Sequence, residues 1–175
     1  MKLTYGLQQG SHGWVAALAS EQGLRSVSLP QPSPERALDN LGKELDRAVQ
    51  DDGAFAGFFR RVEAYFNGQP ETFAEDLPDP DLGTDFQRRV WSALRTIPYG
   101  ETRSYGWVAE QVGVPQAPRA AGRAIGSNKV VLVVPCQRVI GASGDLRGYG
   151  AGGLGVKQRL LDLEQTGKKG AVTVS

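Results

Sequence analysis

Apolar and polar positions over the first thirty residues predict three short strands. Leu3, Tyr5 and Leu7 alternate with Thr4 and Gly6, Gly10-Ser11-His12-Gly13 supplies a turn, and Trp14-Val15-Ala16-Ala17-Leu18 follows. Val27 and Leu29 close a third run before Pro30, Pro32 and Pro34 stop it. The period then changes. Ala37, Leu38, Leu41, Leu45 and Val49 fall at helical spacing and predict one helix. Phe55, Phe58, Phe59, Val62, Tyr65 and Phe66 predict a second, capped by Asn67-Gly68, and those aromatics read as core.

Residues 75–83 are acidic and proline-rich and read as a connection between two halves. Beyond it, Thr84 or Asp85 can cap a helix whose face carries Phe86, Val90, Trp91 and Leu94. Thr102 or Ser104 can start another with Tyr105, Val108, Ala109 and Val112, ending at Gly113. A further helix from Ala117 to about Ser127 follows a short turn, so the pair suggests helix-turn-helix. Residues 130–134 form a continuous apolar run that reads as a strand leading into Pro135-Cys136-Gln137-Arg138. A last helix carries Val156, Leu160, Leu161 and Leu163, and residues 168–175 read as a frayed tail.

Charge sharpens this division. Residues 1–85 carry seven Lys/Arg against fourteen Asp/Glu, a net of −7, whereas residues 86–175 carry thirteen against five, a net of +8. A basic half beside an acidic one fits a nucleic-acid partner, but the split alone fits two halves that attract each other better. The second helix of the pair (Arg-Ala-Ala-Gly-Arg-Ala-Ile-Gly, 119–126) has small residues that allow close backbone approach. Arg119 and Arg123 add charge, and few long polar side chains are available to read base edges. Tight packing on a neighbouring helix explains the same composition equally well. One cysteine and one histidine rule out an intrachain disulfide and argue against a Cys/His zinc site. No apolar run is long enough for a membrane span and no signal-peptide core is present, so a cytoplasmic, nucleoid-associated protein is expected.

Several motifs then agree in order and spacing over about residues 86–165. They are Tyr99-Gly-Glu-Thr-Arg-Ser-Tyr105, Arg119-Ala-Ala-Gly-Arg-Ala, Ser127-Asn128, Val134-Pro-Cys-Gln-Arg-Val-Ile140, and Gly148-Tyr149 through Leu163-Glu164. Together they resemble the C-terminal domain of the O6-alkylguanine-DNA alkyltransferases. The resemblance implies an α/β fold. Residues 1–74 would form a ribonuclease-H-like α/β domain, 75–85 a linker, and 86–175 a mostly helical winged helix-turn-helix domain. The implied partner is double-stranded DNA containing O6-alkylguanine, bound by a monomer without a cofactor, with possible handover to other repair proteins. The implied chemistry is extrusion of the damaged base and irreversible transfer of its alkyl group to Cys136.

By the same resemblance, Arg119 fills the gap left by the extruded base, and Tyr105 turns its phosphate and contacts it. Arg123 and Ala120 lie on the DNA-facing helix. Asn128 joins that helix to the active-site strand, Ile125, Val139 and Tyr149 wall the pocket, and Glu164 orients the proton relay. Two departures stand out. The family carries Pro-Cys-His-Arg where this chain has Gln137, and a glutamine can hold a water but cannot accept a proton near neutral pH. Loss of a general base costs about a hundred- to ten-thousand-fold, so slow transfer is expected. Glu164 acting through water, or Arg138 and backbone amides, are the candidate substitutes; His12 is remote in sequence. The second departure, Gly150-Ala-Gly-Gly153, is one residue longer than the family's run and would reshape the pocket rim. Two further readings stay open at this point: a non-enzymatic sensor of alkyl lesions, and a helix-turn-helix transcription regulator.

Overall fold

A computed structural model describes the backbone of residues 1–174 and the side chains of residues 1–169. It divides into two compact units, Met1–Leu82 with Lys129–Val133, and Gly83–Asn128 with Val134 onward.

The first unit is built on a four-stranded sheet of order β3-β2-β1-β4. Strands β1 (Leu3–Gly10), β2 (Gly13–Ser20) and β3 (Gly23–Gln31) form an antiparallel meander. Val15, Ala16, Ala17 and Leu18 are all buried, so β2 is covered on both faces, which explains its continuous apolar run. Leu3, Ala16 and Leu18 pack with Ala37 and Leu41, bringing helix α1 (Pro34–Asp39) onto the sheet. Helix α2 (Ala56–Phe66) buries Phe58, Phe59, Val62 and Tyr65, and Phe73 completes this aromatic cluster. At Gly6 a side chain would collide with the Phe55 ring, so the missing Cβ lets that ring approach the sheet.

The helix expected across residues 37–49 is not formed as one element. α1 stops at Asp39, Gly42 adopts φ +83°, Lys43–Arg47 is a 3-10 turn, and Ala48–Gln50 is strand β4, parallel to β1. The left-handed glycine breaks the helix, and sheet pairing then outweighs the helical spacing. Val49 is accordingly exposed on an edge strand rather than buried on a helix.

The acidic segment after residue 74 is held to this unit. Arg61 grips Asp76 with two bonds of 2.6 and 2.7 Å, and Leu24 exchanges backbone hydrogen bonds with Leu77 and Asp79. Asp79 also accepts from Ser20 Oγ (2.5 Å) and Arg25 Nη1 (2.9 Å). Burial pushes its carboxyl up, but the Ser20 hydroxyl, the Asp81 N–H and Arg25 outweigh burial and hold it below the usual range. Asp79 therefore stabilises the fold above the ordinary carboxylate range, and that contribution is lost as pH falls through its lowered value.

The second unit is mostly helical. Thr84 and Gln87 form a capping box that starts α3 (Asp85–Leu94), a device worth about 1 kcal/mol. Ser104 caps α4 (Tyr105–Gln111), Gly113 at φ +80° turns the chain, and α5 (Pro118–Gly126) follows. The indole of Trp91 donates to the Ala124 carbonyl (2.8 Å), locking α3 to α5. β5 (Arg103–Ser104) pairs in parallel with β6 (Val139–Ile140), setting the start of α4 beside the chain that leaves Cys136. The expected strand at 130–134 is instead a buried turn with Leu132 at φ +70°, in which Lys129 accepts a bond from Val27. Its apolar character reflects burial rather than extended pairing. The last helix, α6, runs Gly153–Val174, so the frayed tail expected from Lys168 is helical there; Ser175 lies outside the described residues. None of the described helices is long and apolar enough to cross a membrane.

Candidate active site

Cys136 opens a short 3-10 turn, Cys136–Arg138, directly after Pro135. The residue is buried, 7% exposed, and its sulfur accepts a hydrogen bond from Asn128 Nδ2 at 3.2 Å; the same amide donates to the Val134 carbonyl at 3.0 Å. One side chain thus fixes both the thiol and the backbone just before it. Burial pushes the Cys136 thiol up, opposed by the Asn128 bond and by the positive charge of Lys157. The net direction is upward, which disfavours the thiolate.

The sulfur lies at a cavity of about 760 Å³, within the range of small-ligand sites. Tyr105 from α4 and Arg119, Gly122, Ile125 and Gly126 from α5 line one side, and Gly148, Tyr149, Gly150 and Ala151 the other. Glycine at 122 leaves only the Tyr105 ring over that part of α5. Tyr149 interacts with the Cys136 thiol, and burial first, then the sulfur's charge, raises its phenol well above the ordinary value.

Behind the cysteine sits a buried polar relay. Glu164 accepts from Gln137 Nε2 (2.9 Å), Arg138 Nε (2.7 Å) and the Gly100 N–H (3.3 Å). Arg138 also donates to the Ile97 carbonyl (2.8 Å) and lies over the Tyr99 ring. Gln137 is fully buried, and among the described residues its Oε1 has no hydrogen-bond partner. The relay therefore presents one vacant acceptor, on a group that cannot take up a proton near neutral pH.

Of the residues singled out from sequence, Cys136, Asn128, Tyr105, Arg119, Ile125 and Tyr149 are brought together around the cavity. Gln137 and Glu164 form the relay behind it. Val139 does not line the cavity: it is fully buried on β6, where it pairs with Arg103. Arg123 and Ala120 are on α5 but outside the cavity, with Arg123 exposed. Gly150 and Ala151, from the glycine run after Tyr149, also line the cavity. Sequence reasoning missed Lys157, which is 1% exposed. Its signal was present: Lys157, Leu160 and Glu164 fall on one helical face of α6, where a lysine among buried positions is unusual.

Comparison with known proteins places these features. The chain matches the ribonuclease-like domain of 6-O-methylguanine DNA methyltransferase over residues 4–78 and the DNA-binding domain of the same family over residues 85–166. It is 39% identical over 160 residues to the methylated-DNA--protein-cysteine methyltransferase of Methanosarcina acetivorans, covering 91% of this chain and 97% of that one. The protein of that name from Mycobacterium tuberculosis strain H37Rv is 56% identical over 117 residues, 66% of this chain and 68% of its own length. Among solved structures, Mycobacterium tuberculosis OGT in complex with DNA superposes with a TM-score of 0.73 at 40% identity, covering 94% of each chain. The chain belongs to the 6-O-methylguanine DNA methyltransferase family.

Proposed function

We propose that this protein repairs O6-alkylated guanine in duplex DNA by moving the alkyl group onto Cys136, each molecule acting once. The observation that carries this reading is a single buried thiol, held by Asn128, at a cavity flanked by Tyr105 and the arginine-bearing helix α5. A thiol so placed cannot reach a base inside a stacked duplex, so the guanine must be extruded into the cavity. Arg119, exposed at the cavity rim, fills the gap in the stack, and Tyr105 turns the phosphate and contacts the base. Arg123 and the Ala120 backbone lie along the DNA-facing helix and add affinity for phosphates without base specificity.

In the transfer, the Cys136 proton passes to water and the sulfur lone pair forms a bond to the alkyl carbon. The carbon–O6 bond breaks, its electron pair stays on the guanine oxygen, and the guanine anion takes a proton from solvent. The slow part is making the thiolate. Burial holds the thiol up and Gln137 cannot act as a base, so transfer is expected to accelerate as pH rises through and above neutrality.

The DNA side of the reaction tests the function. Incubation with a duplex carrying one O6-methylguanine inside a restriction site is expected to restore cleavage, in proportion to protein and never beyond one site per molecule. Catalytic turnover, or no restoration over many hours with full occupancy of the damaged duplex, would refute it; the second result is that of a lesion sensor. In binding, Arg119→Ala is expected to cost about tenfold or more in affinity for the methylated duplex, with a smaller loss on undamaged DNA. Fluorescence anisotropy with the two duplexes separates these, and equal losses on both would remove Arg119 from the extrusion step.

A further inference from the structure

Arg147 stands in a conformation that its own side chain opposes. Its φ is +65°, in the left-handed region that glycine enters freely and other residues enter at a cost. The backbone has a local reason to turn there. The carbonyls on either side, of Leu146 and Gly148, both accept from Lys157 Nζ, at 2.6 and 3.1 Å. A glycine would serve that turn without strain, so it is the guanidinium that needs a reason, and strain kept in a fold clusters at functional sites. Two observations show where it is aimed. The charged residues that line the cavity are Arg119 on α5 and Arg147 on the loop that carries Tyr149, and both are exposed. Arg147 is also anchored. Its Nε meets Asp145 at 2.8 Å, Ser143 Oγ donates to the same carboxylate at 2.6 Å, and the pair lies against Gly141, where a side chain would strike both groups. An exposed ion pair of this kind contributes little to stability, which leaves orientation as its effect.

Tyr105 is the neighbour that defines the ligand. Burial raises its phenol, while a bond from the Gly148 backbone and the charge of Arg147 oppose that rise. The loop thus reaches the residue to which the repair reading gives the turning of the phosphate. We propose that Arg147 is a second DNA-gripping arginine, a positioning residue that binds the phosphate of the extruded nucleotide from the loop side of the cavity. The inference rests on the repair reading and deepens it. Arg119 fills the gap left in the stack, and Arg147 holds the backbone that has rotated out of it. Asp145 engages Nε, and the two terminal nitrogens of a guanidinium can then meet two phosphate oxygens. A cation at the rim also suits a cavity whose other lining groups are neutral and supply no counter-charge to the incoming phosphate.

Salt-dependent binding tests this, by fluorescence anisotropy in the Cys136→Ser background, which leaves the methyl group on the duplex. Arg147→Gly removes the charge and the backbone strain together, so its melting temperature is expected to be equal or higher. Its affinity for a duplex with one O6-methylguanine is expected to fall about tenfold, and the slope of log Kd against log salt to become shallower by about one, as for a single lost phosphate contact. On undamaged duplex, where the nucleotide stays in the stack, the loss is expected to be smaller. Arg147→Lys keeps the charge and should keep the slope. An unmoved slope for Arg147→Gly on the methylated duplex would remove the phosphate contact, and equal losses on the two duplexes would remove the link to extrusion; either result overturns the proposal. Damage preference in the parent with an unmoved slope in Arg147→Gly fails this inference alone. Equal binding of both duplexes by the parent fails the repair reading and this inference with it.

Discussion

Gln137→His is expected to speed methyl transfer to Cys136 by about a hundredfold or more at neutral pH. Gln137 is fully buried, donates Nε2 to Glu164 at 2.9 Å, and leaves Oε1 as an acceptor with no partner among the described residues. An imidazole in that place would give one ring N–H to Glu164, which fixes the tautomer, and leave its other nitrogen as the free acceptor. Geometry is thereby conserved, while the acceptor gains the ability to take a proton near neutral pH. Rapid-quench kinetics with an O6-methylguanine duplex would read the difference as a rate, with the pH profile moving to lower pH. An unchanged rate and profile would mean that position 137 is outside the path of the thiol proton.

Glu164→Leu is expected to destabilise the second unit by about 3–5 kcal/mol. The replacement strips Arg138, only 6% exposed, of a 2.7 Å ion pair and leaves the Gln137 amide and the Gly100 N–H without their acceptor. A buried guanidinium left unpaired costs far more than the pair itself contributes. Adding Arg138→Met to Glu164→Leu should therefore recover much of the loss, although the Ile97 carbonyl then loses a donor. Urea denaturation of the two variants measures this. Equal stability of the single and double variants would show that the relay is not a desolvated charge pair.

The elements most legible in the sequence were those whose pattern is local. The meander β1–β3 follows from alternation and a glycine turn, and α3, α4 and α5 begin at or beside residues whose side chains or ring suit a helix start. Two misreadings came from interactions distant in the chain. Val49 fits a helical stripe but pairs beside Thr4 on a strand edge, and Leu132 sits in a buried apolar run that turns at a positive φ instead of extending as a strand. The cavity residues were found through motif order, not through any periodic signal. Lys157 escaped because an amphipathic reading of α6 counted its leucines and passed over a lysine on the same face. Val139 was misplaced for the converse reason: proximity in sequence to Cys136 does not set which side of β6 is buried.

Intact mass spectrometry tests the central claim most directly. The protein is incubated with excess duplex carrying one O6-methylguanine, and its mass and peptide map are followed in parallel with Cys136→Ser. The account expects the gain of one methyl group, located on Cys136, slow at neutral pH, faster at higher pH, and absent from Cys136→Ser. No gain over hours in a protein saturated with the damaged duplex, or a methyl group found on any other residue, would contradict it.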